Sequence, residues 1–260
     1  MFLRRIVEHL KTQNWTAVAL DLGIVIVGVF IGTQVSNWNQ ERLEKRETAQ
    51  LLLELRPALQ SVTDFFDTAK DYYATSRAYS ETAFAGWRGD PAVSDEQFVI
   101  AAYQASQIYT FGVNGTNWAS IFGGDRMRDI DSVEVRRGLT NMMTFPYEQI
   151  AGSDAVATPY REHVRQVISE DIQDAIRAEC SDKPIPERPL TIRLPSTCDL
   201  ELPEALFAQS ATALRSRPEL VGELRWHRAA VAAFLFNLGT IERQSRQLQN
   251  AIGQTAKSRQ

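Results

Sequence analysis

Hydrophobic residues fall along this chain in three recurring patterns. The first is unbroken: from Ala17 to Val35 only Asp21, Thr33 and Gln34 are distinctly polar. At helical rise such a stretch covers about 28 Å, close to the hydrocarbon core of a bilayer. The second pattern is a heptad-like seam in which Leu52, Leu55, Leu59, Val62, Phe66, Ala69 and Tyr73 alternate steps of three and four. Pro57 interrupts that seam, and because the spacing resumes cleanly the proline should bend the helix rather than end it. The third is the longest: Leu220, Leu224, His227, Val231, Phe234, Leu238, Ile241, Ser245, Leu248 and Ile252 keep the same alternation, a seam of about 50 Å.

Shorter amphipathic stretches lie between the two seams. Ser94 and Gln97 form a capping-box start ahead of Phe98, Ala101, Ala102, Ala105, Ile108 and Tyr109. Asp131 and Glu134 open a helix running to about Met143, and Val164, Ile168, Ile172 and Ala175 carry another to about Cys180. Five prolines between Cys180 and Pro203 leave room only for a short extended piece at Leu190 to Leu194. No segment sustains a period of two. The predicted fold is therefore all-α: one N-terminal transmembrane helix at 15–39, then an extramembrane helical bundle at 40–260 with a Pro-rich loop at 180–203. The two long seams read equally as bundle core and as intermolecular coiled coil. The bundle is preferred because the shorter helices must bury their faces somewhere.

Trp15 and Trp38 stand where interfacial aromatics anchor a span. A cleaved signal peptide would have a shorter apolar core ending in small residues, whereas this one runs into Thr33-Gln34-Val35-Ser36. The basic residues Arg4, Arg5 and Lys11 before the span nearly tie with Arg42, Lys45 and Arg46 after it. Phe2, Leu3, Ile6, Val7 and Leu10 make the 1–14 tail amphipathic and suited to a membrane surface. The only two cysteines, Cys180 and Cys198, fall beyond the span and can form a disulfide if that side is oxidising. Together these place the tail in the cytoplasm and the bulk of the chain outside it.

Charge and composition narrow the functional classes. The chain has 28 Lys and Arg against 32 Asp and Glu, a formal net charge of −4, which argues against nucleic acid as a partner. His9, His163 and His227 are scattered, without H-x-x-x-H, H-E-x-x-H or C-x-x-C, so no metal or other cofactor is expected. The acids of "GGDRMRDIDSVE" miss the calcium-loop spacing and are read as helix-start capping and surface pairing. His227 occupies a seam position, where it is either a hydrogen-bonded core residue or part of a cavity wall. Aromatics gather in the first half of the outer domain; Tyr73, Tyr109 and Trp118, with His227, are the residues expected to line an interhelical pocket, if these rings do more than fill the core.

Within the span, Asp21, Gly28, Gly32 and Ser36 share one helical face with Val25. Gly28-x-x-x-Gly32 permits close approach of a second helix, and an intramembrane carboxylate seeks a partner unless it reaches interfacial water. The expected partners are the membrane and, through this face, a second copy or another single-pass membrane protein. From Asp21 to Arg42 the order of residues also resembles a family of uncharacterised bacterial single-pass membrane proteins, whose span has the form E-I-x-L-V-V-I-G-I-L-I-A-L-Q-V-N-N-W-N-E-x-R. Asp21 stands at the acidic position, Gly28 at the glycine, Ile31 at the isoleucine, Gln34-Val35 at Q-V, Asn37-Trp38-Asn39 at N-W-N and Arg42 at the arginine. It departs at Asp21 for Glu, Gly32 for Ala and Ser36 for Asn. A fainter likeness runs through Trp118, Ile121, Ile130, Glu134, Val135, Arg136 and Leu139. The resemblance implies an inner-membrane anchor carrying an outer domain, and no reaction. The leading expectation is a non-enzymatic module that senses a ligand or docks a partner. A tethered hydrolase with a site assembled between helices, or a structural spacer, is the alternative.

Overall fold

The computed structural model describes residues 15–109, 127–144, 156–186 and 191–257. Among them are seven helices and one two-residue strand pair. Helix α1 (Trp15–Trp87) runs without interruption from the apolar segment into the outer domain. Among the described residues it is the one helix long and apolar enough to cross a membrane, and its apolar window is wholly unburied by the rest of the chain. Pro57 lies inside it. Pro57 and Leu53 are both exposed, so the carbonyl deprived of its amide partner faces solvent and the helix continues.

Helices α2 (Asp95–Gln104) and α3 (Val133–Thr144) follow. Ser94 caps α2 in a complete capping box with Gln97. At α3 the start is shifted from the expected one: Ser132 Oγ accepts the amide of Val135 at 3.3 Å, and Asp131 instead lies 3.9 Å from Lys45. The expected single helix over 164–180 is two, α4 (Pro159–Val167) and α5 (Glu170–Glu179). Ile168 is extended with ψ 135°. Gln173 Nε2 donates to the carbonyls of Arg165 and Ile168 at 2.7 and 2.9 Å, satisfying the end of α4, while Glu170 and Asp171 favour a new N-terminus.

In the proline loop, β1 (Lys183–Pro184) pairs antiparallel with β2 (Ile192–Arg193). Cys180 and Cys198 are joined by a disulfide with Cα atoms 5.5 Å apart. Helix α6 (Glu204–Arg215) was not anticipated. Its signal is present in Phe207, Ala211 and Leu214, all buried one helical face apart. Helix α7 (Glu219–Lys257) then returns along α1.

Two apolar cores divide the helical part that follows the apolar segment. The core nearer the apolar segment joins Leu52 to Tyr73 of α1 with Val135, Leu139 and Met142 of α3 and Phe234 to Ile252 of α7. The distal core joins the end of α1 with α2, α4, α5, α6 and the start of α7. Both long seams are thus spent within one chain, against each other, and Ser245 Oγ ties them by donating to the Leu59 carbonyl at 2.9 Å.

Candidate functional site

Where the two cores meet, α1 and α7 border a half-open cavity of about 240 Å³. The cross-helix register there is set by two contacts: Phe66 packs on Gly239, and Arg228 reaches Glu81 at 2.9 Å. An ascending α1 and descending α7 therefore bring Lys70 level with Leu235 and Arg77 level with Val231. Tyr73, Val231, Leu235 and Ala105 supply the apolar wall, and Ser76, Ser80 and His227 the polar one. The serines are spoken for as donors: Ser76 Oγ gives to the Ala105 carbonyl at 3.3 Å and Ser80 Oγ to that of Arg77 at 2.8 Å.

His227 is 1% exposed. Its Nδ1 is 2.8 Å from Thr158 Oγ1, while its Nε2 is buried with no hydrogen-bond partner among the described residues. One ring nitrogen is thus satisfied in the core and the other is not, and the residue borders the cavity. Burial, and secondarily the charge of Arg161, push the imidazole down to about 4. It is neutral at neutral pH and a weak base, which suits hydrogen bonding better than proton abstraction.

Tyr73 lines the same cavity. Its hydroxyl accepts the amide of Tyr109 at 3.0 Å, and burial pushes it up to about 12. Tyr109 is a neighbour rather than a lining residue, wedged against Phe65 and Tyr72 with ring centroids 5.2 and 5.3 Å away. Trp118 lies outside the described residues. Of the four expected pocket residues, then, Tyr73 and His227 border the same cavity, one on its apolar side and one on its polar side. Sequence inspection missed Lys70, Arg77 and Arg228, whose signal is only positional: Lys70 and Arg77 repeat every seven residues beside Tyr73, flanking the seam.

Behind His227 lies a polar layer. Arg161 donates to the Ser106 carbonyl at 2.7 Å and to Gln107 Oε1 at 3.1 Å, and Arg165 shares that amide oxygen at 3.1 Å while stacking 4.5 Å over the Tyr103 ring. Tyr72 donates to Asp182 at 2.9 Å, and burial raises the Asp182 carboxyl. Larger depressions are more open or more polar. A trough of about 930 Å³ runs along α1 from Trp38 to Glu54, and a cleft of about 520 Å³ separates α1 from the proline hairpin.

Asp21, Gly28, Gly32 and Ser36 are all exposed on the apolar part of α1, and a methyl added at Gly28 or Gly32 would meet nothing. Trp38 is exposed, with the Arg42 guanidinium 5.7 Å from its ring. Trp15 begins the helix. Among the described residues no group of three metal-ligating side chains converges. Comparison with protein-family models, with curated proteins and with solved structures finds no match for this chain.

Proposed function

We propose that this is a bacterial inner-membrane protein of the single-pass family its span resembles, with its N-terminus in the cytoplasm. In this reading its bundle is periplasmic and non-enzymatic, and it senses a small ligand in the α1–α7 cavity. The observation that carries the reading is the continuity of α1: the helix that would cross the membrane is the same one that supplies Lys70, Tyr73 and Arg77 to the cavity. A rigid helix transmits rotation or tilt along its length, so a change of packing at Tyr73 has a direct route to the span. The disulfide supports an oxidising compartment for the bulk of the chain. The packing of both seams on each other within the chain supports this reading over a spacer.

The span face of Asp21, Gly28 and Gly32 serves in this reading as the output, pairing with a second copy. The test is cysteine cross-linking of the full chain in membranes carrying Val25→Cys on that face. Cross-linking between copies is expected, reduced by Gly28→Ile and Gly32→Ile but not by Gly23→Ile, and altered by Ala74→Trp, which plugs the cavity mouth. Yield that is indifferent to Ala74→Trp would remove the link between cavity and span. Equal behaviour of the three glycine variants would remove the pairing face.

A further inference from the structure

We infer that the outward face of α7 docks a second copy of this chain anchored in the same membrane, the two α7 helices crossing in parallel at residues 222–240 about a two-fold axis along the membrane normal; this rests on the membrane-anchored reading above and not on the sensing one.

Helix α7 carries two seams. The first is buried against α1. The second runs down the opposite face, where Gly222, Trp226, Ala229, Ala233, Phe236 and Thr240 alternate steps of four and three, the spacing of a helix that packs on another helix. Among the described residues nothing covers its centre: Trp226 is 65% exposed, Phe236 is 72% exposed, and Ala229 and Ala233 between them are exposed. Beyond α1, Val133 is the only other large hydrophobic residue exposed among the described ones. Single exposed apolar side chains are ordinary, but a row of them at helical spacing marks an interaction surface. From Ala229 to Ile241 no side chain is charged, although the water-facing side of an amphipathic helix normally carries charge.

The order of sizes along the stripe says what fits it. Ala229, Ala230, Ala232 and Ala233 flank the centre, while Trp226 and Phe236 stand five positions to either side of Val231, about 7.5 Å along the axis. Two crossing helices are closest where they cross and separate toward both ends, over interaxial distances of about 8–10 Å. A small centre between large ends fills that shape when both helices have it. A second copy has it at the same level, because α1 is one helix from the apolar segment to the head and Phe66 of α1 packs on Gly239 of α7. Neighbours anchored side by side thus present their alanines at equal height and in the same direction, and an uncharged run meets itself without like-charge repulsion.

Other occupants fit less well. Phe66, level with Gly239, stands about 42 Å beyond Trp38 along α1, and Phe236 lies nearly a turn farther, so the bilayer does not reach the stripe. At roughly 150–250 Å² for a whole aromatic side chain, the stripe with its alanines supplies about 400 Å² per copy. A pair would bury about 800 Å², short of the roughly 1,200 Å² of the smaller stable interfaces between free proteins. A soluble partner would therefore bind weakly here. Two copies held in one membrane start at a high effective concentration, and the same area suffices.

The test is oxidative cross-linking of the full chain in membranes of the producing cells. Cys180 and Cys198 are already joined, so an introduced cysteine reports alone. Ala229→Cys and Ala233→Cys should each give a dimer of the chain, and Ala208→Cys, exposed on α6, should give none. Phe236→Glu should lower the Ala229→Cys yield about tenfold and leave thermal unfolding unchanged, since its ring supports nothing in the chain. Differently tagged Trp226→Cys and Phe236→Cys chains, produced together, should form no mixed dimer, a link that antiparallel packing would make. No dimer at either alanine, an equal yield at Ala208→Cys, indifference to Phe236→Glu, a mixed dimer, or an adduct of another mass in place of the dimer would each overturn the inference. If the chain resists alkaline carbonate extraction and no dimer forms, the anchor stands and the docking face is lost; if carbonate releases the chain, the anchor falls and the parallel arrangement with it.

Discussion

The stalk next to the apolar segment and the distal head of this bundle are held together by different physics. The stalk is built mainly on three helices in apolar contact, α1, α3 and α7. The head packs the end of α1, the start of α7 and four short helices that are each too short to be stable alone. It closes by specific links: Trp87 Nε1 donates to the Leu214 carbonyl at 3.0 Å, Arg215 pairs with Asp95 at 2.9 Å, and the disulfide ties α5 to the segment before α6. Repetition in the stalk means that any one contact is replaceable. In the head, few contacts are.

Glycine makes the sharpest test. A methyl at Gly86 would sit 2.1 Å from Phe98 Cδ2, whereas at Gly138 the nearest atom is the free end of Leu248, Cδ1 at 2.9 Å. Gly86→Ala should cost about 3 kcal/mol, because the Phe98 ring is fully buried and has nowhere to go. Gly138→Ala should cost about 1 kcal/mol or less, since leucine can change rotamer. Thermal unfolding followed by circular dichroism, comparing the two variants, checks the difference. Similar losses would mean that stalk and head are equally intolerant.

Next comes the disulfide. Its cysteines are separated by 18 residues, and a loop of that size is worth about 3 kcal/mol in the chain-entropy model, somewhat less where prolines already stiffen the unfolded loop. Cys180→Ser with Cys198→Ser should speed hydrogen exchange in α2, α5 and α6 while leaving α3 and the C-terminal half of α7 protected. Uniform loss of protection would show one cooperative unit rather than two.

A smaller effect is expected at the boundary between them. His227 has its protonation pushed down to about 4, chiefly by burial, from an unfolded value of about 6.5. Between those values the unfolded chain binds the extra proton and the folded one does not. Stability is therefore full above about pH 6.5 and falls as pH drops toward 4, by on the order of 2 kcal/mol. His227→Gln should flatten that part of the pH profile of thermal unfolding; an unchanged profile would assign the acid sensitivity elsewhere. The smallest change belongs to the stalk's surface. The ends of the Lys45–Asp131 pair are about half exposed and 3.9 Å apart, so Asp131→Ala should alter stability by less than about 0.5 kcal/mol.

The stalk was also the legible region. Its residues repeat every three or four positions over dozens of residues, and a local period is visible without knowing what it packs against. The head was legible only in parts. The capping box of Ser94 and Gln97 is local chemistry and reads directly. The break at Ile168 and the existence of α6 are not, because one apolar period continues through the first and proline-rich surroundings disguise the second. The cavity stands between these cases. Tyr73 and His227 were recognisable as a tyrosine and a histidine on two seams, but the register that brings Lys70, Tyr73 and Arg77 of α1 to the same cavity as His227 is set by Phe66 on Gly239 and Arg228 on Glu81.

Composition and periodicity alone therefore determined an all-α chain with one membrane-length apolar helix and two long amphipathic ones, because hydrophobic spacing is a property of the chain itself. Only the tertiary structure decided that the two seams satisfy each other within one molecule and that α1 is a single rod from apolar segment to head. It alone left one histidine nitrogen buried without a partner among the described residues. Those outcomes depend on which surfaces meet and at what offset, and contacts between residues far apart in sequence leave no period behind.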